Sequence, residues 1–427
     1  MAWDFSTDPE FQRKLDWAEV FVEEKVVPLE ALFPDLEFQP LTPERRRIVD
    51  PLKQEVRDHG LWAPHLDPEL GGQGFGAVKL TLINEILGRA GTWASVVFGT
   101  MAPDTGNAEI LARFGTPEQK DRYLEPLLSG EIFSCFSMTE PQGGADPRVF
   151  TTRAVRAGDE WVINGLKYFS SNVSTASFLI VMALTDPDVP VQKGTSMFLV
   201  PRETEGIVIE ENHQIYGHAP GAAGHGLVRY TDVRVPLDAM LGDPGNGFGV
   251  AQSRLAGGRI HHAMRAIGYC RRLLDMAAER ALSRKTAPGV LADKQFVQGF
   301  LADSYTELLQ FRMAVLYTAW IIETQGGDAA RKEIAALKIA TPKLVTDAVH
   351  RTIQLHGGLG LTAELPLARM WTSGMTLGLA DGPTEVHKVN LAKALLRDYK
   401  AVEGLWPSEM RSNRLAEAHA LYGDLLD

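Results

Sequence analysis

The chain has 427 residues, 45% of them hydrophobic and 23% charged, a balance that suits a soluble globular protein with two or three lobes. A formal net charge of -11 argues against general nucleic-acid binding, which needs clustered Lys and Arg, but leaves room for a local basic pocket. Two cysteines, Cys135 and Cys270, make neither a disulfide framework nor a metal knuckle, and point to a reducing, cytoplasmic setting.

The N-terminus, MAWDFSTDPEFQRKLDW, carries charges and lacks a signal-peptide core. Asp8-Pro9-Glu10 is a helix start, and Phe11, Leu15, Ala18, Val22 and Val26 recur at helical spacing. Further helical stretches are predicted over 44–59, 79–90 and 117–128. The GGQGFGA run at 71–77 fits a loose G-x-G-x-x-A, but HLDPEL before it is not a strand. It reads as a Gly-rich turn, not a dinucleotide fingerprint.

From about residue 133 the texture changes to short β-like runs punctuated by turns, with Gly158-Asp159 between two of them. An antiparallel β domain is predicted over 133–245, after a helical domain over 1–132. SFLIVMAL, at 177–184, is too short to span a bilayer as a helix. After Gly247 long periodic stretches return over 249–284, 292–325, 329–357 and 384–399. They predict a helical bundle domain over 246–427, kinked where Pro342 falls inside a helix. The fold class expected is α+β.

Four motifs carry candidate chemistry. His261-His262 are adjacent, so on a helix they point about 100° apart and do not readily share a metal ion. CFSMTEPQGGADP ends a strand in a Gly-rich loop. It reads as a β-turn or as an edge of exposed amides and a hydroxyl suited to a flat polar ligand. QLHGGLG, at 354–360, reads as a Gly helix cap or as close backbone approach to a ligand. In TLGLADGPTEVHK, Asp381 is either a turn and N-cap residue or a carboxylate placed for function.

Together these motifs resemble the acyl-CoA dehydrogenase family over nearly the whole chain. MTEPQGGAD, NGLKYFSSN, RIHHAMRAIG with SRKTAPG, LHGGLGL and ADGPTEVH occur in the family's order and with similar separations. The resemblance implies a helical N-domain, a β middle domain and a C-terminal four-helix bundle, with FAD held non-covalently. Phe136, Met138, Thr139, Phe169 and Ser171 correspond to flavin-facing positions. Arg284 and Thr286 correspond to positions reaching the FAD of a neighbouring subunit, and Gln354, Gly357 and Gly358 to its adenine and pyrophosphate end. A homodimer or homotetramer is implied.

Asp381 falls where the family carries its catalytic carboxylate, usually Glu. Its expected role is to take the α-proton of an acyl-CoA while hydride leaves the β-carbon for flavin N5. Its own N–H would help hold the thioester oxygen. Such a base is expected to need a dry site and a raised pKa. Ala145, Arg259, Ala380 and Gly382 are candidate substrate-binding positions. Arg259 and Arg265 each read equally as substrate contacts or as partners in a structural ion pair. Ala380 replaces a bulky aromatic, Pro383 a Thr and Ala145 a Ser of the family pattern. An electron-transfer flavoprotein is the implied acceptor. The alternatives are a nitroalkane-oxidase-like enzyme using the same Asp and dioxygen, and a flavin-free helical scaffold.

Overall fold

The computed structural model describes residues 6–34, 41–68, 72–215 and 224–425. Gly71 of the Gly-rich turn, and Tyr216 and Gly217 at the end of IVIEENHQIYG, lie outside the described residues. The first helix is Pro9–Phe21, with the Asp8 side chain accepting from Phe11 N and Pro at its first turn. Helices Pro43–Asp58, Gly76–Leu87, Gly91–Val97 and Asp104–Phe114 follow. The 117–128 stretch is α-helical at both ends, with a π-turn over Lys120–Leu124 between.

The strands are β1 Ser134–Ser137, β2 Arg153–Ala157, β3 Glu160–Ser171, β4 Phe178–Leu184, β5 Thr195–Pro201, β6 Ile207–His213, β7 His225–Pro236 and β8 Met240–Leu241. Their order in one sheet is β6-β7-β3-β1-β4-β5-β8, with β2 pairing β3 and β4. The predicted antiparallel pairing needs correction at β4, to which β1 runs parallel over its length and β2 at a single pair. The β2–β3 hairpin, turning at Gly158-Asp159, intervenes between β1 and β4 and brings the chain back in the original direction.

β4 shows why SFLIVMAL reads as almost uniformly apolar. Phe178, Ile180 and Met182 join one core with Leu111, Tyr123 and Val250 of the flanking helices. Leu179, Val181 and Ala183 join another with Val228, Tyr230 and Val233 of β7. Period-2 alternation still operates, but both faces are covered.

The C-terminal region is built from helices Gly247–Ser283, Gln295–Gln325 and Arg331–His356, followed by Leu367–Leu377, Thr384–Leu396 and Arg411–Tyr422. Pro342 lies within Arg331–His356, which stays helical through it. The Gly247–Ser283 helix is the spine of the molecule. A Cβ at Gly268 would lie 1.8 Å from the Glu85 carbonyl oxygen, so only glycine lets this helix and Gly76–Leu87 touch backbone to backbone. That contact presents residues 254–265 of the spine to the space between the lobes. No described helix is long and apolar enough to cross a membrane.

Candidate active site

A cavity of about 1900 Å³ opens where the three lobes meet. That is roughly twice the upper size of a pocket for one drug-sized ligand, and leaves room for a flat cofactor and an acyl group together. Phe136, Met138, Thr139, Ala145, Phe169, Ser171, Arg259, Ala380, Asp381 and Gly382 all line it. Residues as far apart in the chain as Phe136 and Gly382 are therefore brought to one cavity.

The strand side is set by register. Phe136 of β1 and Ser171 of β3 are direct partners. The edge is held from behind by a buried ion pair: the Lys167 ammonium donates to Glu140 at 2.9 Å and to the Met138 carbonyl at 2.7 Å. Glu140 also accepts from Thr151 and Thr152 amides at 2.7 and 3.0 Å. Burial works against its charge, but Lys167 and these donors outweigh burial and bring its pKa down to about 2. Tyr168 N donates to the Thr139 carbonyl at 2.8 Å, which fixes the two strands where the chain turns into the cavity. Phe169 follows with φ +51° and a half-exposed ring. Ser171 is not free, since its hydroxyl pairs with His225 Nδ1 at 2.7 Å. The Thr139 hydroxyl, by contrast, has no partner among the described residues.

Opposite lies the turn after helix Leu367–Leu377. Asp381 has φ +56°, and Gly382 follows with φ +99°. The carboxylate caps nothing: Pro383 is the N-cap of Thr384–Leu396, and no side chain bonds to that helix start. A proline there forgoes only an N–H that the helix does not use. The turn is pinned through its carbonyl, with Arg259 Nε donating to the Asp381 oxygen at 3.0 Å and His387 Nε2 at 3.2 Å. Arg259 thus holds the backbone of this acid. The Asp381 amide has no partner among the described residues.

The carboxylate is directed at the spine helix. A Cβ on Gly258 would lie 2.8 Å from Asp381 Oδ2, and His262 Nε2 is 3.4 Å from the same oxygen. Burial pushes the Asp381 carboxyl up, but His262, Arg254 and Arg259 together outweigh burial and hold it below the ordinary carboxylate range. The expected raised pKa is thus corrected. Desolvation is present as anticipated, but the His262 hydrogen bond and the charges of Arg254 and Arg259 win over it.

Several residues around this cavity are not singled out by the sequence. Arg254 stacks over the Phe136 ring, 4.1 Å from its centroid, and donates to Asn107 at 2.7 Å. Asn107 and Asp104 both bond Ser134 at the start of β1, so PDTGN ties helix Asp104–Phe114 to the strand under the cavity. Glu109 is a second carboxylate, 2.6 Å from where a Gly257 Cβ would stand, and burial pushes its pKa up to about 7. The available signal was Gly257-Gly258 in mid-helix, where each glycine costs about 1 kcal/mol unless something needs the space. His261 faces away from His262 and stacks edge-on with His65, centroids 6.2 Å apart. Among the described residues no group of three or more His, Cys, Asp or Glu side chains is placed to share a metal ion.

The structure keeps the remaining predicted positions out of this cavity. Arg284 and Thr286 follow the end of the spine helix, and Gln354, Gly357 and Gly358 end Arg331–His356. Ala281 and Leu355 pack in one small cluster, so both groups lie at one end of the bundle. Gln354, Gly357, Gly358 and Arg284 are exposed there.

Three family descriptions match in tandem: acyl-CoA dehydrogenase N-terminal domain over 9–131, middle domain over 135–232 and C-terminal domain over 245–396. The chain belongs to the acyl-CoA dehydrogenase family. Members bind FAD and act as oxidoreductases. "Probable acyl-CoA dehydrogenase FadE2" of Mycobacterium tuberculosis is 38% identical over 83% of this chain and 87% of its own length. Mouse acyl-CoA dehydrogenase family member 10 is 37% identical over 90% of this chain, which spans only 36% of that longer relative. A solved Mycobacterium abscessus structure is 36% identical, with TM-score 0.84 over 92% of this chain and all of that one. Butyryl-CoA dehydrogenase of Megasphaera elsdenii is 25% identical, with TM-score 0.77 over 92% of this chain and all of that one.

The residues present fit a flavin. Thr139 offers an unpartnered hydroxyl at the cavity wall, Gly144 borders open space, and Phe169 presents its ring there.

Proposed function

We propose that the protein oxidises an acyl-CoA thioester to the trans-2-enoyl-CoA, with Asp381 as the base. The observation that carries this reading is an acid whose backbone is pinned, whose side chain caps nothing, and whose amide and carboxylate share one cavity with the flavin-facing strand edge. Thr139, Met138, Phe136, Phe169 and Ser171 would border the isoalloxazine. Ala145, Ala380, Gly382 and Arg259 would frame the acyl group. When bound there, FAD supplies the hydride acceptor. Asp381 takes the α-proton on its carboxylate while its N–H donates to the thioester oxygen, where negative charge develops. Ala380, small beside the base, leaves width for the acyl chain.

Arg284, Thr286, Gln354, Gly357 and Gly358 would serve the FAD of a second subunit, in a homodimer or homotetramer. An electron-transfer flavoprotein suits the reoxidation step; one chain from the structure of such a protein of Acidaminococcus fermentans shares this fold at 25% identity and TM-score 0.75. Cys135 and Cys270 are both buried free thiols, in keeping with a reducing cytoplasm. A nitroalkane substrate is not favoured, since the matched families and relatives are those of acyl-CoA dehydrogenases.

The test is anaerobic addition of a panel of acyl-CoAs to the holoenzyme while the flavin absorbance is followed. One chain class should bleach it. Asp381→Asn should keep FAD and slow that bleaching by about 10²–10⁴-fold, the usual share of a general base. Bleaching at the wild-type rate in Asp381→Asn would place the base elsewhere.

A further inference from the structure

The spine helix carries Arg254, Gly258, His262 and Arg265 at intervals of four, four and three residues. Such intervals put all four on one helical stripe, facing the Asp381 turn. Their contacts with Asp381 have an order. Gly258 gives Oδ2 room to lie against the helix. His262 Nε2 approaches the same oxygen at 3.4 Å, and His262 Nδ1 is met by Arg265 Nη2 at 3.4 Å. Both contacts are long, as such bonds often are before substrate closes a site. Oδ1 has no partner among the described residues.

Hydrogen-bond polarity along this line runs one way. A guanidinium only donates, so the ring nitrogen facing Arg265 must accept and carries no proton. A neutral imidazole with Nδ1 bare has its single N–H on Nε2, the atom facing the carboxylate. We infer that Arg265 fixes His262 in the Nε2–H tautomer, and that His262 in turn orients Asp381 as a hydrogen-bond donor that does not take its proton. Both are positioning residues, acting through the base. This rests on the reading of Asp381 as the base.

The proton balance follows. The α-proton moves from carbon to Oδ1, and the C–H pair departs from the β-carbon as hydride to the flavin. His262 keeps its own proton throughout, because Nε2 is occupied and Nδ1 is engaged by Arg265. The proton therefore stays on Asp381 while the enoyl product is present, and the carboxylate is not emptied sideways into the protein. Charged and titratable groups of both signs face the Asp381–His262 pair. Arg254, Arg259 and Arg265 lie on the same helix, with His261 beside them. Lys338 comes from Arg331–His356, His65 from the loop after Pro43–Asp58, and His387 from the helix after the turn. Asp381 and Glu109 are the acids that answer them.

The first measurement is the ¹⁵N spectrum of the histidine-labelled holoenzyme, with His262 identified by its loss in His262→Gln. Nε2 should appear as the protonated nitrogen and Nδ1 as the bare one, and Arg265→Gln should relax that preference while Arg265→Lys restores it. A protonated Nδ1 in the wild type, as imidazolium or as the other tautomer, overturns the inference. The second is the pH profile of flavin reduction by the acyl-CoA that the panel selects. His262→Ala should slow reduction about tenfold, the kinetic equivalent of one hydrogen bond to a charged group. It should also move the acid limb to higher pH, while His262→Gln, which retains a donor, stays near wild type. A merely structural role would change stability and leave the acid limb in place, and that result also overturns the inference. Asp381→Asn run alongside separates the two failures. If it bleaches normally, the base assignment fails while the ¹⁵N pattern still judges the Arg265–His262 contact. If it is inactive and His262→Ala reduces as wild type, the positioning inference alone fails.

Discussion

Two adjacent glycines, Gly257 and Gly258, sit where a helix would ordinarily hold side chains, and each faces a carboxylate oxygen, of Glu109 and Asp381. Residue by residue, this trades helix propensity for position. Gly258→Ala should therefore do two opposite things. It gains about 1 kcal/mol of helix propensity, and its Cβ, 2.8 Å from Asp381 Oδ2, must push the carboxylate off its line to the substrate. Melting should show a protein no less stable, while flavin reduction falls about 10- to 100-fold, the scale of a small misplacement in a reacting pair. A Gly258→Ala enzyme of full activity would mean that Oδ2 does not rest on the helix in the working state. Asp381 itself could be found in the sequence because Asp-Gly-Pro breaks a helical pattern. Arg254 and Lys338 beside it could not, because they come from elements whose packing no local pattern encodes, and His262 is visible only as half of a His-His pair.

At the scale of elements, the Lys167–Glu140 pair ties β3 to the loop leaving β1, and so sets the edge on which Thr139 and Phe169 stand. Both side chains are almost wholly buried. Removing one partner strands the other's charge, so Glu140→Gln should cost about 3–5 kcal/mol in urea unfolding and loosen FAD. A loss under 1 kcal/mol would show that the edge is held by its backbone bonds. The pH dependence has a definite sign. Glu140 titrates near 2 in the folded protein against about 4.3 unfolded. Its contribution is thus complete above the unfolded value and lost as pH falls from about 4.3 toward 2. Glu140→Gln should flatten that acid limb of the stability curve.

These elements also show what was legible. Long amphipathic helices announce themselves by period, and the 329–357 stretch agrees with Arg331–His356 within two residues at its start and one at its end. The Gly158-Asp159 hairpin was equally plain from its turn residues. The parallel β1–β4 pairing was not, because direction depends on which strands become neighbours and not on any residue in them. Helix Gly91–Val97 escaped too, being seven residues buried nearly all round and hence without a polar face to set a period.

For the whole molecule, the predicted FAD positions divide into a cavity set and a set at the far end of the bundle. This division has meaning if a second copy brings its bundle end to the cavity. Arg284→Ala with Thr286→Ala should then raise the FAD dissociation constant about tenfold or more, read by fluorescence of released flavin, without altering the cavity's own residues. A sharper check mixes subunits. Asp381→Asn subunits lack a base but keep Arg284, whereas Arg284→Ala/Thr286→Ala subunits keep Asp381. Hybrids formed by unfolding and refolding the two together should recover activity that neither parent has at limiting FAD. No recovery, in hybrids proven by mass, would confine each flavin to one chain.

With Asp381 as the proposed base, its pinned carbonyl also bears on why a shorter acid would suffice. Arg259 and His387 hold the backbone of the turn itself, so the reach of the group is set by the chain rather than by side-chain extension. An aspartate then has two torsions to settle where a glutamate has three. Fewer rotamers are left to be frozen when carbon and oxygen meet, and the entropy of that search has been removed before the substrate arrives.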